Sequence, residues 1–284
     1  MDLSNLKKFK IRWFVVFAFL LFIGMFIISI FAISVQGIQE WITLFVSIGL
    51  LAYVLYQSKK HQFVYSEAEL PRAMSAKSWG KYLTLTASLQ LIAVMIGTFL
   101  LMLVYLQFEN WIRDLMEFIL VDEAVETPIF VFVLFFINVC ILAPLWEELF
   151  FRGILLRRFM LKWSPQKSII ISSLLFGIIH LNPINVVFAF FLGCVLAFVY
   201  LKTKSIIVPM ILHSFSNFLA FIQYYLSNQT TAISLPTSED AQFAILVSGI
   251  AIVVLGSVIL FFIVKYYKSF RSFTYQNENS DILV

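Results

Sequence analysis

An all-α bundle of membrane-spanning helices is the fold this sequence predicts, and three observations predict it. Of the 284 residues, 61% are hydrophobic and 13% are charged, with 32 Phe against 10 Gly and 7 Pro. An ordinary soluble domain carries about 25% charged residues. The apolar residues are gathered into long runs, near the roughly 20 residues that a spanning helix needs. The basic residues sit in alternate loops, the pattern that sets membrane orientation.

Eight runs are long enough to be considered, over about 13–35, 38–57, 82–106, 129–150, 168–182, 184–201, 205–226 and 241–264. The first follows Lys7, Lys8, Lys10 and Arg12. Its apolar stretch exceeds a signal-peptide h-region, so it is expected to be a retained anchor. Residues 36–40 read as a tight turn between the first two spans, and 58–81 as a basic loop. The acidic segment 107–128 is expected to hold a short interfacial helix anchored by Trp111 and Phe118. Pro144 lies inside the fourth run, where it removes a helix hydrogen bond and kinks the span. The fifth and sixth runs are short and divided by the breaker "NPIN" (182–185), which suggests tilted or partly re-entrant segments. The seventh carries "HSFSN" (213–217), and the polar tail from about 272 is expected to fray.

With the N-terminus inside, every Lys and Arg but Arg113 falls on the inner side, and the outer loops are acidic. An even number of spans with both termini cytoplasmic follows. Topology therefore accounts for the net charge of +4, and nucleic-acid binding is a poor alternative because the basic residues are spread over several short loops. Cys140 and Cys194 each lie within an apolar run, imply no disulfide, and have no partner at metal-ligand spacing. No internal repeat is visible. The chain divides into an N-terminal transmembrane region (1–128), a polar-bearing core (129–226), and a last span with its tail (227–284).

The core holds ionisable groups where they are expensive and by default suggest function. These are Glu147, Glu148 and Arg152 in "WEELFFRG", then His180 and His213, with Asn217 as a polar companion. Glu148 and Arg152 are four apart and can pair on one helix face; a structural brace and direct chemistry are both open to them. Glu147 points about 100° away and needs another partner. His180 shares a face with Phe176, and His213 with Asn217. At 1.5 Å per residue, His180, His213 and Glu147 lie about 18, 10 and 15 Å from the inner boundary, so they can occupy one layer reached from the cytoplasm.

A carboxylate, two imidazoles and an amide in one half-buried layer are the parts for hydrolysis. Glu147 could act as general base on water. His180 could hold that water, or both could ligate a metal. His213 and Asn217 could donate to the oxyanion. No Ser, Cys or Thr is placed for nucleophilic attack, since Ser214 and Ser216 flank His213 on other faces, and a helical HExxH motif is absent.

Three motifs occur in order on successive helices: E-E-x-x-x-R at 147–152, F-x-x-x-H at 176–180 and H-x-x-x-N at 213–217. On these, the chain resembles the CAAX protease and bacteriocin-processing family of intramembrane endopeptidases, also called the Abi or type II CAAX prenyl endopeptidase family. The resemblance covers about 129–226. It implies a helix bundle with a cytoplasmic cavity and a peptide-bond hydrolase in which Glu147 activates water with His180. It further implies that His213 and Asn217 stabilise the oxyanion or complete a metal site, while Glu148, Arg152 and Phe176 support the site. A divalent metal such as zinc on Glu147, His180 and His213, or a metal-free glutamate mechanism, are both compatible with it. The implied substrate is a membrane-bound peptide or protein in a bacterial plasma membrane. The rival reading is a non-catalytic scaffold or bacteriocin immunity protein that binds a membrane partner; a transporter ranks lower, for want of a repeated pair of interrupted helices.

Overall fold

A computed structural model describes residues 7–31, 37–61, 74–112, 114, 128–229 and 236–278. Among these residues every regular element is a helix. Eight principal helices follow one another: α1 (Ile11–Phe31), α2 (Ile38–Lys60), α3 (Ala76–Gln107), α4 (Ile129–Met160), α5 (Pro165–Ile178), α6 (Pro183–Thr203), α7 (Ile207–Gln229) and α8 (Ser238–Glu278).

Seven of them are long and apolar enough to cross a membrane, and the protein is an integral multi-pass membrane protein. The exception is α5. Its 14 residues span about 21 Å, short of the roughly 30 Å of hydrocarbon. This is the fifth of the eight runs, expected to be short and tilted or partly re-entrant. The physical reason lies in the turn that follows. Leu181 takes a left-handed φ of 59°, which ends α5, and Asn182 then caps α6 by accepting from the Asn185 amide, with Pro183 supplying the fixed φ suited to a first helical position. The N-P pair thus starts a helix as well as breaking one.

Helix α4 is central. It packs against α2 on one side and α7 on another, with α5 and α6 across its second half. Helices α5 and α6 form a tight antiparallel pair, α3 and α8 another, and α3 also meets α6 and α7. Gly177 and Gly193 make the α5–α6 contact: a Cβ on Gly177 would stand 2.6 Å from the Val186 carbonyl oxygen, and one on Gly193 3.0 Å from Ser173 Cβ.

The main apolar core runs through Phe9, Phe14, Leu50, the 149–156 stretch of α4, Phe176 and Tyr200. Phe14 stacks on Phe150 with centroids 3.9 Å apart, and Arg158 donates to the Phe9 carbonyl, so the start of the chain is fastened to α4. A second core joins Tyr82 of α3 to Leu192, Leu196 and Leu212. The outer faces of α1 and α8 keep Phe, Leu, Ile and Val exposed, as hydrocarbon contact requires.

The interfacial helix expected at 107–128 is helical over 109–112; Phe118 and most of that segment lie outside the described residues. Helix α8 continues to Glu278, so the chain beyond 272 is helical rather than frayed up to that residue.

Candidate active site

The site is built on α4, whose backbone is irregular in two places. Residues Ile137–Leu142 and Leu149–Leu156 are π-helical, on either side of the α-helical turn Ala143–Glu148 that carries both glutamates. Such wide turns are rare and frequently mark functional positions. The first has a visible cause. The Ala143 amide bonds to the Asn138 carbonyl, five residues back, and Pro144 has no amide to offer. The Val139 carbonyl therefore loses its intrahelical donor. Asn217 fills the vacancy from α7, its Nδ2 donating to Val139 O at 2.8 Å.

Glu148 is fully buried, and one of its oxygens takes both of its partners while Oε2 has none. Its Oε1 accepts from Arg152 Nη1 at 2.7 Å and from His213 Nδ1 at 2.9 Å. Arg152 also donates through Nη2 to the Gly193 carbonyl at 3.2 Å. Its guanidinium carbon lies 4.5 Å over the Phe176 ring. Phe176 meets both histidines edge to face, with centroids 5.0 Å from His180 and 5.5 Å from His213. One aromatic ring thus separates and orients the two imidazoles.

Glu147 faces the other way. Its Oε2 has no hydrogen-bond partner and lies 3.7 Å from His213 Nε2, and the side chain keeps 10% exposure where Glu148 has none. Glu147 and His180 line one cavity of about 470 Å³, otherwise walled by apolar residues of α1, α4 and α5 with Leu50 of α2.

Hydrogen-bond chemistry fixes the tautomers. A carbonyl can only accept, so His180 Nδ1, 2.9 Å from Phe176 O, carries a proton, and Nε2 is the free nitrogen. The carboxylate of Glu148 likewise accepts from His213 Nδ1, which aims His213 Nε2 at Glu147. Burying charge without balance is costly. Two carboxylates stand against one guanidinium here, so one further proton, on Glu147 or His213, brings the cluster to neutrality.

The structure therefore gathers Glu147, Glu148, Arg152, His213 and Phe176 into one contact network, and sets His180 beside it on the cavity. Asn217 is engaged with α4 rather than aimed at the cavity lining. Among the described residues no three or more His, Cys, Asp or Glu side chains stand as a group that could hold a metal ion. The sequence reading missed the Gly193 carbonyl and the Val139 carbonyl, because backbone acceptors have no residue signature; Pro144 was the one pointer to the latter. It also missed the buried hydrogen bond between Ser216 and Gln90 of α3, 3.1 Å long, for which a glutamine inside an apolar run was the available signal.

Comparison with known proteins bears on the same stretch. Residues 129–219 match the model of a family described as type II CAAX prenyl endopeptidase Rce1-like. Over 101 residues the chain is 33% identical to a putative membrane peptidase, YdiL, of Bacillus subtilis (strain 168). That alignment covers 34% of this chain and 41% of the relative, so the chain spans about two fifths of the length of the curated relative it matches. No solved structure matches.

Proposed function

Because residues 129–219 match the model of the type II CAAX prenyl endopeptidase family, we propose that the protein is an intramembrane endopeptidase that hydrolyses a peptide bond in a membrane-associated substrate. In this reading the basic loops and both termini lie on the cytoplasmic side of a bacterial plasma membrane, with α5 counted as an eighth, short pass. The observation that carries the reading is the asymmetry of the two neighbouring carboxylates. Glu148 is spent on Arg152 and His213, whereas Glu147 borders the cavity together with His180.

In this mechanism His180 Nε2 and the Glu147 carboxylate hold a water between them, and Glu147 removes its proton as the oxygen attacks the substrate carbonyl carbon. The electron pair of the C=O bond moves to oxygen. His213, protonated and held by Glu148, faces that charge through Nε2. Collapse of the intermediate breaks the C–N bond, and the proton on Glu147 passes to the leaving amine. Arg152 and Phe176 act by position: they hold Glu148 and the two imidazole rings.

The test compares peptides in membranes and medium of cells expressing the wild type or Glu147→Gln at matched levels. The amide keeps the volume and loses the base, so products vanish while the protein remains folded; removal of a catalytic base costs about 10²–10⁴-fold. Identical peptide profiles would sink the peptidase reading and favour the scaffold.

A further inference from the structure

The match to the endopeptidase family stops at residue 129 on its N-terminal side, yet one wall of the cavity lies outside it. Six of its lining residues, from Ile11 to Phe22, belong to α1. They line the same cavity as Leu175, Ile178 and Ile179 of the α5 end, and as Glu147 and His180. We propose that α1 is the specificity wall of the site, and that its ligand is one apolar turn of a membrane-inserted peptide, admitted sideways from the bilayer between α1 and α5. The inference rests on the peptidase reading above and deepens it.

Three observations support this occupant. The first is composition: apart from Glu147, His180 and the indole of Trp146, every lining residue is aliphatic or Phe, so a charged or strongly polar stretch would be buried without partners at a cost of several kcal/mol. The second is continuity with lipid. Phe19 is 63% exposed and Ile178 50% exposed, and both also line the cavity. The rim is therefore part of the hydrocarbon-facing surface. The third is size. One turn of helix, about 10–12 Å across and 5.4 Å high, occupies roughly 400–600 Å³, and the cavity holds about 470 Å³. A whole spanning helix does not fit; the turn around the scissile bond does.

The geometry also says how selection works. Phe14 is buried and stacked on Phe150, so it is fixed. Ala18 sits one turn further along α1, on the same wall, and is the small residue that leaves room. Replacing it by a large ring closes the space without touching Glu147 or His180.

Full-length Glu147→Gln protein in proteoliposomes is exposed to one probe: a leucine–alanine peptide of roughly 20 residues with a central glycine pair and a benzophenone beside it. Labelled residues are mapped by mass spectrometry. The apolar face of α8 at Phe243, Leu246 and Phe261 is equally exposed and serves as reference. Labelling of Val15, Phe19 and Ile178 is expected to exceed that of α8 about tenfold, a difference of about 1.4 kcal/mol, and to fall to the reference level in Ala18→Trp. Equal labelling of α1 and α8 overturns the inference, as does enrichment that survives Ala18→Trp. Should that variant fail to fold, Phe19→Ala widens the same wall and is expected to redistribute the label towards Val15; an unchanged map counts against the inference. Cleavage of the same peptide by wild type is scored separately. Enrichment without cleavage sinks the peptidase reading and leaves the groove, whereas cleavage without enrichment does the reverse.

Discussion

The two sides of α4 treat polar atoms in opposite ways. Towards α6 and α7, Glu148 Oε1, Arg152 and His213 pair with one another and with a backbone carbonyl, with no solvent contact to speak of. Towards α1 and α5, Glu147 and His180 border an open cavity. A buried salt bridge is weak evidence for stability in itself. Its use here is orientation: the paired side aims His213 Nε2 at Glu147 and holds Phe176 against both imidazoles, so that the cavity side is held in place by its neighbour. Preorganised polar groups of this kind need little rearrangement when charge develops.

The contrast is broken most severely from the paired side. Arg152→Ala leaves Glu148 buried with one partner fewer and removes the cation over Phe176, and breaking such a pair costs about 3–5 kcal/mol. Denaturant unfolding in detergent micelles should show that loss. Arg152→Met combined with Glu148→Gln removes both charges and should recover a large part of it. If the single variant is as stable as wild type, the network does not brace the site, and the comparison between the two sides loses its meaning.

An intermediate effect is expected where α5 meets α6. The Cβ of Gly177→Ala would approach the Val186 carbonyl oxygen to 2.6 Å, and this neighbour is backbone, so the helices must move apart. Overpacking of that kind costs about 1–3 kcal/mol. His180 lies three residues on, its Nδ1 bonded within the same helix end. Cleavage should therefore fall more than stability does, measured on one preparation; an active, equally stable Gly177→Ala protein would show that α5 is free to shift.

How much of this could be read from the sequence follows the reach of each interaction. Glu148 and Arg152 were legible because they are four apart, and helix geometry alone brings them together. The face shared by His213 and Asn217 was legible for the same reason. Their partners were not: His213 reaches Glu148 across 65 residues, and no local pattern encodes which carboxylate it meets. Helix α1 was read as an anchor because its residues are apolar all round, and an apolar side chain that lines a cavity looks in sequence like one that faces lipid. The shortness of α5 was legible from the breaker that follows it, but its last residue was not, because "FGIIHLN" continues the apolar run past the point at which Leu181 turns the backbone. Hydropathy cannot register a change of φ.

The smallest effect sharpens the role of Asn217. Its motif spacing suggested an oxyanion donor, while its observed contact is the carbonyl that Pro144 and the π-helical turn leave bare. Asn217→Leu should cost about 1 kcal/mol, the net worth of one such hydrogen bond. Pro144→Ala restores an amide at the position able to bond Val139 in the wide-turn register. If Asn217 serves the backbone, the two changes are coupled: Asn217→Leu costs less in the Pro144→Ala background, and the interaction energy of the double-mutant cycle differs from zero by more than the roughly 0.5 kcal/mol within which independent sites add. If Asn217 acts on the substrate, the cycle on stability closes to zero, and kcat falls by the same factor with or without Pro144. The contact to Val139 O implies the coupled outcome, because in a membrane interior a carbonyl without a donor has no water to turn to.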